Sequence, residues 1–254
     1  MSRRIALVRQ PSPRLADGIV THIDRQPVDV DLARRQWSDY VEALHTHGWT
    51  TIEVPRVDDC PDGVFIEDAV VMFRDVAIIT RPGSPVRQPE TVAVEPVVRG
   101  LGVTVRRILA PGTLDGGDVL KVGNTVYVGR GGRTNDEGIR QFADIVRPFD
   151  TRVVTVPLTK VLHLKSAVTA LPDGTFIGWE PGVDDSSVFP NFAAMPEESG
   201  AHVVILDDNT LLMAADAPKS AAQFHSLGYR TVEVDISEYI KLEGCVTCLS
   251  VRVR

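Results

Sequence analysis

Few residue types in this chain combine reactivity with suggestive spacing, and the first is Cys245-Val246-Thr247-Cys248. Two thiols three residues apart suit a redox couple or half of a zinc site. A thioredoxin-like pair should open a helix, whereas residues 248–254 alternate like a strand. A structural zinc needs about four ligands, and neither a second Cys pair nor a spaced His pair is available. Two buried small residues, or one reactive thiol, remain open. His163, in Leu162-His163-Leu164-Lys165-Ser166 at the start of a strand-like stretch, could serve a thiol as acid and base. Between two leucines it could equally be structural. Leu114-Asp115-Gly116-Gly117-Asp118 sets two glycines between carboxylates. That pattern permits an unusual turn and a close approach to a ligand, leaving Asp115 to orient an imidazole or meet a cation; an ordinary turn would look the same.

A second acidic group, Asp62, Glu67 and Asp68 around Phe65, adjoins Asp58-Asp59, so a solvated acidic loop competes with a cation-binding site. Arg87, near the Arg81-Pro82-Gly83 turn, and Arg133, just before a helix start, could each hold a carboxylate. Gly129-Arg130-Gly131-Gly132 makes a poor phosphate loop, because Thr134 stands where the last glycine belongs and no Gly-Lys-Ser/Thr follows.

The elements that must carry these groups recur. A helix-like stretch, a turn residue and a short apolar or alternating run appear five times, with the runs at 49–55, 103–109, 152–157, 202–206 and 229–235. Hairpin-like pairs lie upstream, at 119–122 with 125–128 and at 167–171 with 175–178, so each unit reads ββαβ. Thr134 to Glu137 has capping-box spacing before a helix whose Ile139, Phe142, Ala143 and Val146 share one face. Ala33, Trp37, Tyr40, Val41 and Leu44 mark a first helix capped by Asp29 or Asp31. A helix near 90–99 is interrupted on paper by Pro96. Residues 5–9 could pair with 248–254, closing the architecture on itself. No linker divides residues 1–254, so a single domain of repeats is expected.

Bulk properties agree with a folded, soluble protein: 254 residues, 43% apolar and 24% charged. A net charge of −7 has the wrong sign for broad adhesion to nucleic acid or an anionic membrane. It suits a cationic ligand, although mild acidity also serves solubility. Apolar runs of four or five residues are far below the roughly 20 of a membrane span, and the short run after Arg3-Arg4 is no secretory signal. Three cysteines, an odd number, fit a reduced compartment, and the cytoplasm is expected.

Six segments in register across nearly the whole chain resemble the dimethylarginine dimethylaminohydrolase family of the guanidine-modifying superfamily. They are Asp62 to Asp68, Thr80-Arg81-Pro82-Gly83, Leu114 to Asp118, Arg133-Thr134-Asn135, Leu162 to Ser166 and Gly244 to Cys248. The resemblance implies the pentein fold, a five-bladed pseudo-symmetric α/β propeller of ββαβ repeats. It implies Cys248 as nucleophile, His163 as general acid and base, and Asp115 as the acid that orients His163. Asp68 with Glu67 would grip a guanidinium, Asp62 would meet an α-amino group, and Arg87 and Arg133 an α-carboxylate. Phe65 would line the channel, and a lid at residues 10–18 would contribute Leu15. The activity implied is hydrolysis of N-methylated arginine to citrulline through a covalent thiouronium, with no cofactor or metal. The implied partner is this small molecule, neither nucleic acid nor membrane, and a homodimer is compatible with the chain. A deiminase of free arginine is the competing enzyme. Relatives of that type carry His-x-Asp where this chain has Lys165, and loss of that carboxylate should leave room for methyl groups. Agmatine would leave the two arginines without a carboxylate partner. A ribosome-associated initiation factor of the same fold would not need the Cys, His and acid set.

Overall fold

The computed structural model describes residues 4–253. Their strands form five three-stranded sheets built to one plan. In each, the middle strand pairs antiparallel with one neighbour and parallel with the other. The first sheet contains β1 (Ile5–Val8) and β2 (Thr50–Glu53), and the second β3 (Val70–Phe73), β4 (Val76–Ile79) and β5 (Thr104–Arg107). The third contains β6 (Val119–Val122), β7 (Thr125–Arg130) and β8 (Arg152–Pro157). The fourth contains β9 (Val168–Ala170), β10 (Phe176–Gly178) and β11 (Phe192–Ala194), and the fifth β12 (Val204–Asp207), β13 (Thr210–Ala214) and β14 (Arg230–Val234). The first sheet takes its third strand from the far end of the sequence: β15 (Val251–Val253) pairs with β1, matching Ile5 to Val253 and Leu7 to Val251.

Alternation along the strands makes the sheets a closed ring. Successive side chains of a strand point to opposite faces, so a strand with both faces buried feeds two different cores. Leu7 packs with Val70, Ala77 and Ile79 between the first and second sheets. Val71, Phe73 and Ile78 turn the other way, to Val119, Val126 and Val128 of the third. Leu120 and Tyr127 then meet Val168 and Phe176 of the fourth. Ile177 meets Leu211 and Met213 of the fifth, and Leu212 and Val204 return to Ala6 and Val8 of the first. The expected five-bladed α/β arrangement is thus present.

Four of the five parallel crossovers carry a helix: α1 (Val30–Thr46), α2 (Val94–Gly100), α3 (Asp136–Val146) and α4 (Pro218–Ser226). A fifth short helix, α5 (Ser237–Ile240), follows β14. The fourth sheet departs from the plan. Its crossover consists of 3-10 turns at Glu180–Gly182 and Ser186–Val188, and its parallel strand is β11. The run at 202–206, read above as a closing strand, instead opens the fifth sheet as β12. Pro181, Gly182, Asp184, Asp185 and Pro190 leave no helical period between Trp179 and Asn191, so nothing in that stretch can form the expected helix.

Two helix starts also differ from expectation. Asn135, not Thr134, caps α3 by accepting from the Gly138 N–H, and Thr134 is diverted to Asp118. Pro96 falls in the first turn of α2, where its missing N–H would have had no helical partner. Asp29 caps α1, accepting from the N–H groups of Asp31 and Leu32. From the buried face of α1 the Tyr40 hydroxyl donates to the Val246 carbonyl at 3.0 Å and lies 2.7 Å from Ser250 Oγ, tying the helix to the loop before β15. Tyr40→Phe leaves that carbonyl unsatisfied in a dry site. It is expected to lower the unfolding free energy by about 1–3 kcal/mol, seen in urea denaturation as a reduced midpoint at unchanged slope.

Candidate active site

The loop entering β15 carries Cys248. The turn is closed by the Cys248 N–H donating to the Cys245 carbonyl at 3.1 Å, and the Glu67 N–H donates to the Cys248 carbonyl at 3.2 Å. Thr247 Oγ1 donates to Glu67 Oε2 at 2.9 Å. Only glycine fits at 244, because a Cβ there would lie 2.3 Å from the Phe65 ring. The turn brings the Cys245 and Cys248 sulfurs to 3.4 Å, both unoxidised and buried. Their mutual hydrogen bond lowers the Cys245 pKa and raises that of Cys248, which also feels burial and the negative charges of Cys245, Glu67 and Asp68.

His163 stands in extended backbone just before a 3-10 turn, Leu164–Ser166, rather than in a strand, and β9 begins only at Val168. Its Nε2 is 3.0 Å from Asp115 Oδ2 and 3.8 Å from Asp68 Oδ1. Asp118 pins the turn from behind, accepting from the Leu164 N–H and from Thr134 Oγ1. Gly116 and Gly117 serve close approach rather than a left-handed turn. A Cβ at Gly116 would lie 1.9 Å from the Glu67 carbonyl, and one at Gly117 2.7 Å from His163 Nδ1. Burial alone would lower the His163 pKa. Asp68, the Asp115 hydrogen bond and Asp118 outweigh it and raise the imidazole to about 9. Burial would raise Asp68, but His163 and Arg87 hold it well below the usual carboxylate range. Burial lifts Asp118 to about 6.

Cys248 and His163 line one small pocket with Asp62, Phe65, Asp68, Arg87 and Arg133. Asp115 stands directly behind His163, its Oδ1 held by the Gly83 N–H. Arg87 is already engaged: Nε and Nη2 fork onto Glu90 at 3.0 and 2.9 Å, and Nη1 reaches Asp68 at 2.7 Å. Arg133 is held more loosely: its Nη1 pairs with Asp115 Oδ2 at 3.7 Å, buried and without a hydrogen-bond partner among the described residues. Asp68, Asp115 and His163 present ligand atoms within 4.8 Å of one another, a spacing that could hold a metal ion. The two arginines already neutralise those acids, so the set reads as an ion network.

Two expected members lie elsewhere. Glu67 faces Lys165 Nζ at 2.5 Å and Arg252 at 3.3 Å, away from the pocket, because those cations and Thr247 claim its oxygens. Leu15 is fully buried in the core between the fifth and first sheets, and Ile19, four residues on, lines the pocket instead. The Ile19 N–H donates to Asp62, and the N–H groups of Thr21 and His22 donate to the Glu243 carboxylate, so this segment covers the pocket. The enclosed free volume is only about 10 Å³, room for roughly one water. Sequence reasoning missed Ile19, Glu243 and Glu90; of these, only Glu90 left a trace, its spacing of three from Arg87.

No family model matches the chain. The chain is 61% identical over 254 residues, covering all of this chain and 98% of its relative, to the N(G),N(G)-dimethylarginine dimethylaminohydrolase of Streptomyces coelicolor. Among solved structures, a dimethylarginine dimethylaminohydrolase adduct with S-methyl-L-thiocitrulline aligns at TM-score 0.92 and 34% identity, covering 99% of this chain and all of that one. A mutant of the Pseudomonas aeruginosa enzyme complexed with citrulline aligns at 0.91 with the same identity and coverage.

The charge pattern around His163 has a measurable consequence. Its proton is held more tightly in the folded protein than at the ordinary 6.5, so the associated stability is present below that value and lost as pH rises through about 9. The ring protons of His163 are expected to titrate by NMR near 9, and Asp115→Asn to move that midpoint downward by removing a charge and a hydrogen bond.

Proposed function

The chain belongs to the dimethylarginine dimethylaminohydrolase family, and we propose on that footing that it hydrolyses N-methylated arginines to citrulline and a methylated amine, with Cys248 as nucleophile. The observation that carries the residue assignment is the meeting of Cys248 and His163 in one acid-walled pocket, with Asp115 behind the imidazole.

A guanidinium is a poor electrophile because its charge is delocalised. Asp68 beside its plane localises that charge and presents the central carbon to sulfur. In the ligand-free protein Cys248 is kept protonated by its neighbours. A bound cation reverses that field, opposing Glu67 and Asp68, and favours the thiolate, the thiol proton leaving to solvent because His163 already carries one. Sulfur attacks the central carbon to give a tetrahedral adduct. His163, charged at neutral pH, protonates the departing nitrogen, and the C–N bond breaks to release dimethylamine or methylamine. The cation's arrival also lowers the imidazole's hold on its proton, which eases the transfer. The thiouronium on Cys248 is then attacked by water, which gives a proton to His163. The C–S bond breaks, the thiol is restored and citrulline leaves. Asp115 holds the ring and its charge through Nε2.

Asp62 suits the α-amino group, and Arg133, whose Nη1 has no hydrogen-bond partner among the described residues, suits the α-carboxylate. Arg87, its donors committed to Glu90 and Asp68, positions Asp68 rather than binding substrate. Lys165 neutralises Glu67, so no second carboxylate remains to require a bare terminal nitrogen, and N-methyl groups are accommodated. Entry requires the Ile19 to His22 segment to release Glu243. These reactions take place in the cytoplasm.

Citrulline assays with asymmetric dimethylarginine, monomethylarginine and arginine should show turnover of the first two well above the third; failure on all three would refute the assignment. Cys248→Ser should abolish citrulline formation, and Cys245→Ser should retain most of it. Loss of a charge-assisted hydrogen bond in Arg133→Gln should raise KM roughly tenfold to a hundredfold with a smaller change in kcat.

A further inference from the structure

The second thiol of the Cys245–Cys248 pair has no part in the reaction above, yet its sulfur lies 3.4 Å from that of Cys248. The separation is maintained from several sides. The Cys248 N–H closes the turn onto the Cys245 carbonyl, which brings the two Cα atoms within the about 7 Å of a β-turn and so into the range a disulfide spans. Tyr40 holds Val246 and Glu67 holds Thr247, so the turn between the sulfurs is anchored at both intervening residues. The two sulfurs also face different spaces. Cys248 lines the small covered pocket, whereas Cys245 lines a cleft of about 800 Å³ with His202, Trp179 and Val161. Both cysteines are buried, but only Cys245 borders the larger cleft, the side from which a small oxidant would approach.

We infer that Cys245 and Cys248 form a site of reversible oxidation, closing to an intramolecular disulfide when a peroxide enters the Cys245 cleft. The Cys245 thiolate attacks one peroxide oxygen and the O–O bond breaks, leaving Cys245 as a sulfenic acid and releasing hydroxide. Cys248 then attacks the Cys245 sulfur, its thiol proton passing to the departing oxygen, which leaves as water. Two thiols lose two electrons and two protons, and hydrogen peroxide becomes two waters. The hydrogen bond from Cys248, with His202 and Thr247, favours ionisation of Cys245 and makes it the sulfur that reacts first. A dithiol reverses the change by exchange. That oxidation silences the enzyme rests on the proposed role of Cys248; formation of the bond does not.

Cys60 is the internal control, a third buried thiol whose pKa is raised by burial. Stoichiometric hydrogen peroxide followed by alkylation and peptide mass mapping is expected to remove two free thiols and two hydrogens from the peptide spanning 245–248. Cys60 should remain alkylated. Citrulline formation should fall in parallel, and dithiothreitol should restore thiols and activity together. In Cys245→Ser the same treatment should add oxygen to Cys248 instead. Addition of oxygen to wild-type Cys248 without loss of the two hydrogens, or a disulfide involving Cys60, would overturn the inference. The wild-type mass measurement decides it even if the variant folds poorly. A disulfide that forms in a protein which, fully reduced, turns over none of the three guanidines would refute the proposed function and leave the oxidation site standing.

Discussion

A run of alternating charge through the buried interior governs the whole site. Glu90, Arg87, Asp68, His163, Asp115 and Arg133 follow one another with successive separations of 2.9, 2.7, 3.8, 3.0 and 3.7 Å, and all six side chains are buried. Isolated charges in such a place are prohibitively costly, and each is tolerated here only because its neighbours have opposite sign. The imidazole is the fourth link, between two carboxylates, so the chain balances only when that ring is protonated. The same constraint that permits burial therefore prepares an acid for a departing amine. It also means that truncating any one link strands a charge on the next.

The charge run could not exist in one segment of sequence. Glu90, Arg87 and Asp68 come from the second sheet and its crossover, Asp115 and Arg133 from the entry to the third and from the turn after β7, and His163 from the entry to the fourth. The thiol arrives on the loop before β15. Each group sits where a segment enters or leaves a sheet, in or beside short 3-10 turns and bends with little regular hydrogen bonding, while the strands below are locked by cores on both faces. Rigid sheets thus hold their reactive edges at fixed mutual distances. Glycines at 116, 117 and 244 let those edges touch.

Much of this was legible in the sequence, for physical reasons that also mark the limits. Helices α1 and α3 announced themselves by apolar faces, α1 also by its Asp cap and α3 by the capping-box spacing from Thr134, and the hairpins by Gly, Asn and Asp turns. The fourth crossover was not legible as such, because Pro and Asp between Trp179 and Asn191 abolish period without indicating what replaces it. With the preceding Gly200, β12 then passed for a closing strand. Thr134 and Asn135 are both competent caps, and only the tertiary claim of Asp118 on Thr134 separates them. At the site, the residue types that bear chemistry were visible one by one, but orientation was not. Glu67 and Asp68 are adjacent, and the backbone turns one toward Lys165 and the other toward His163. Glu90 escaped notice because its importance depends wholly on Arg87 being dry.

The pairing of β15 with β1 makes the nucleophile's position conditional on the seam of the ring. Cys248 lies three residues before the closing strand, whereas His163 and the acids belong to the second, third and fourth sheets. If the seam frays, four sheets retain their own ladders and most of the circular dichroism, yet the sulfur drifts away from its partners. Catalytic output is therefore a gauge of one local opening, and heating or mild denaturant will extinguish it before the bulk of the secondary structure melts.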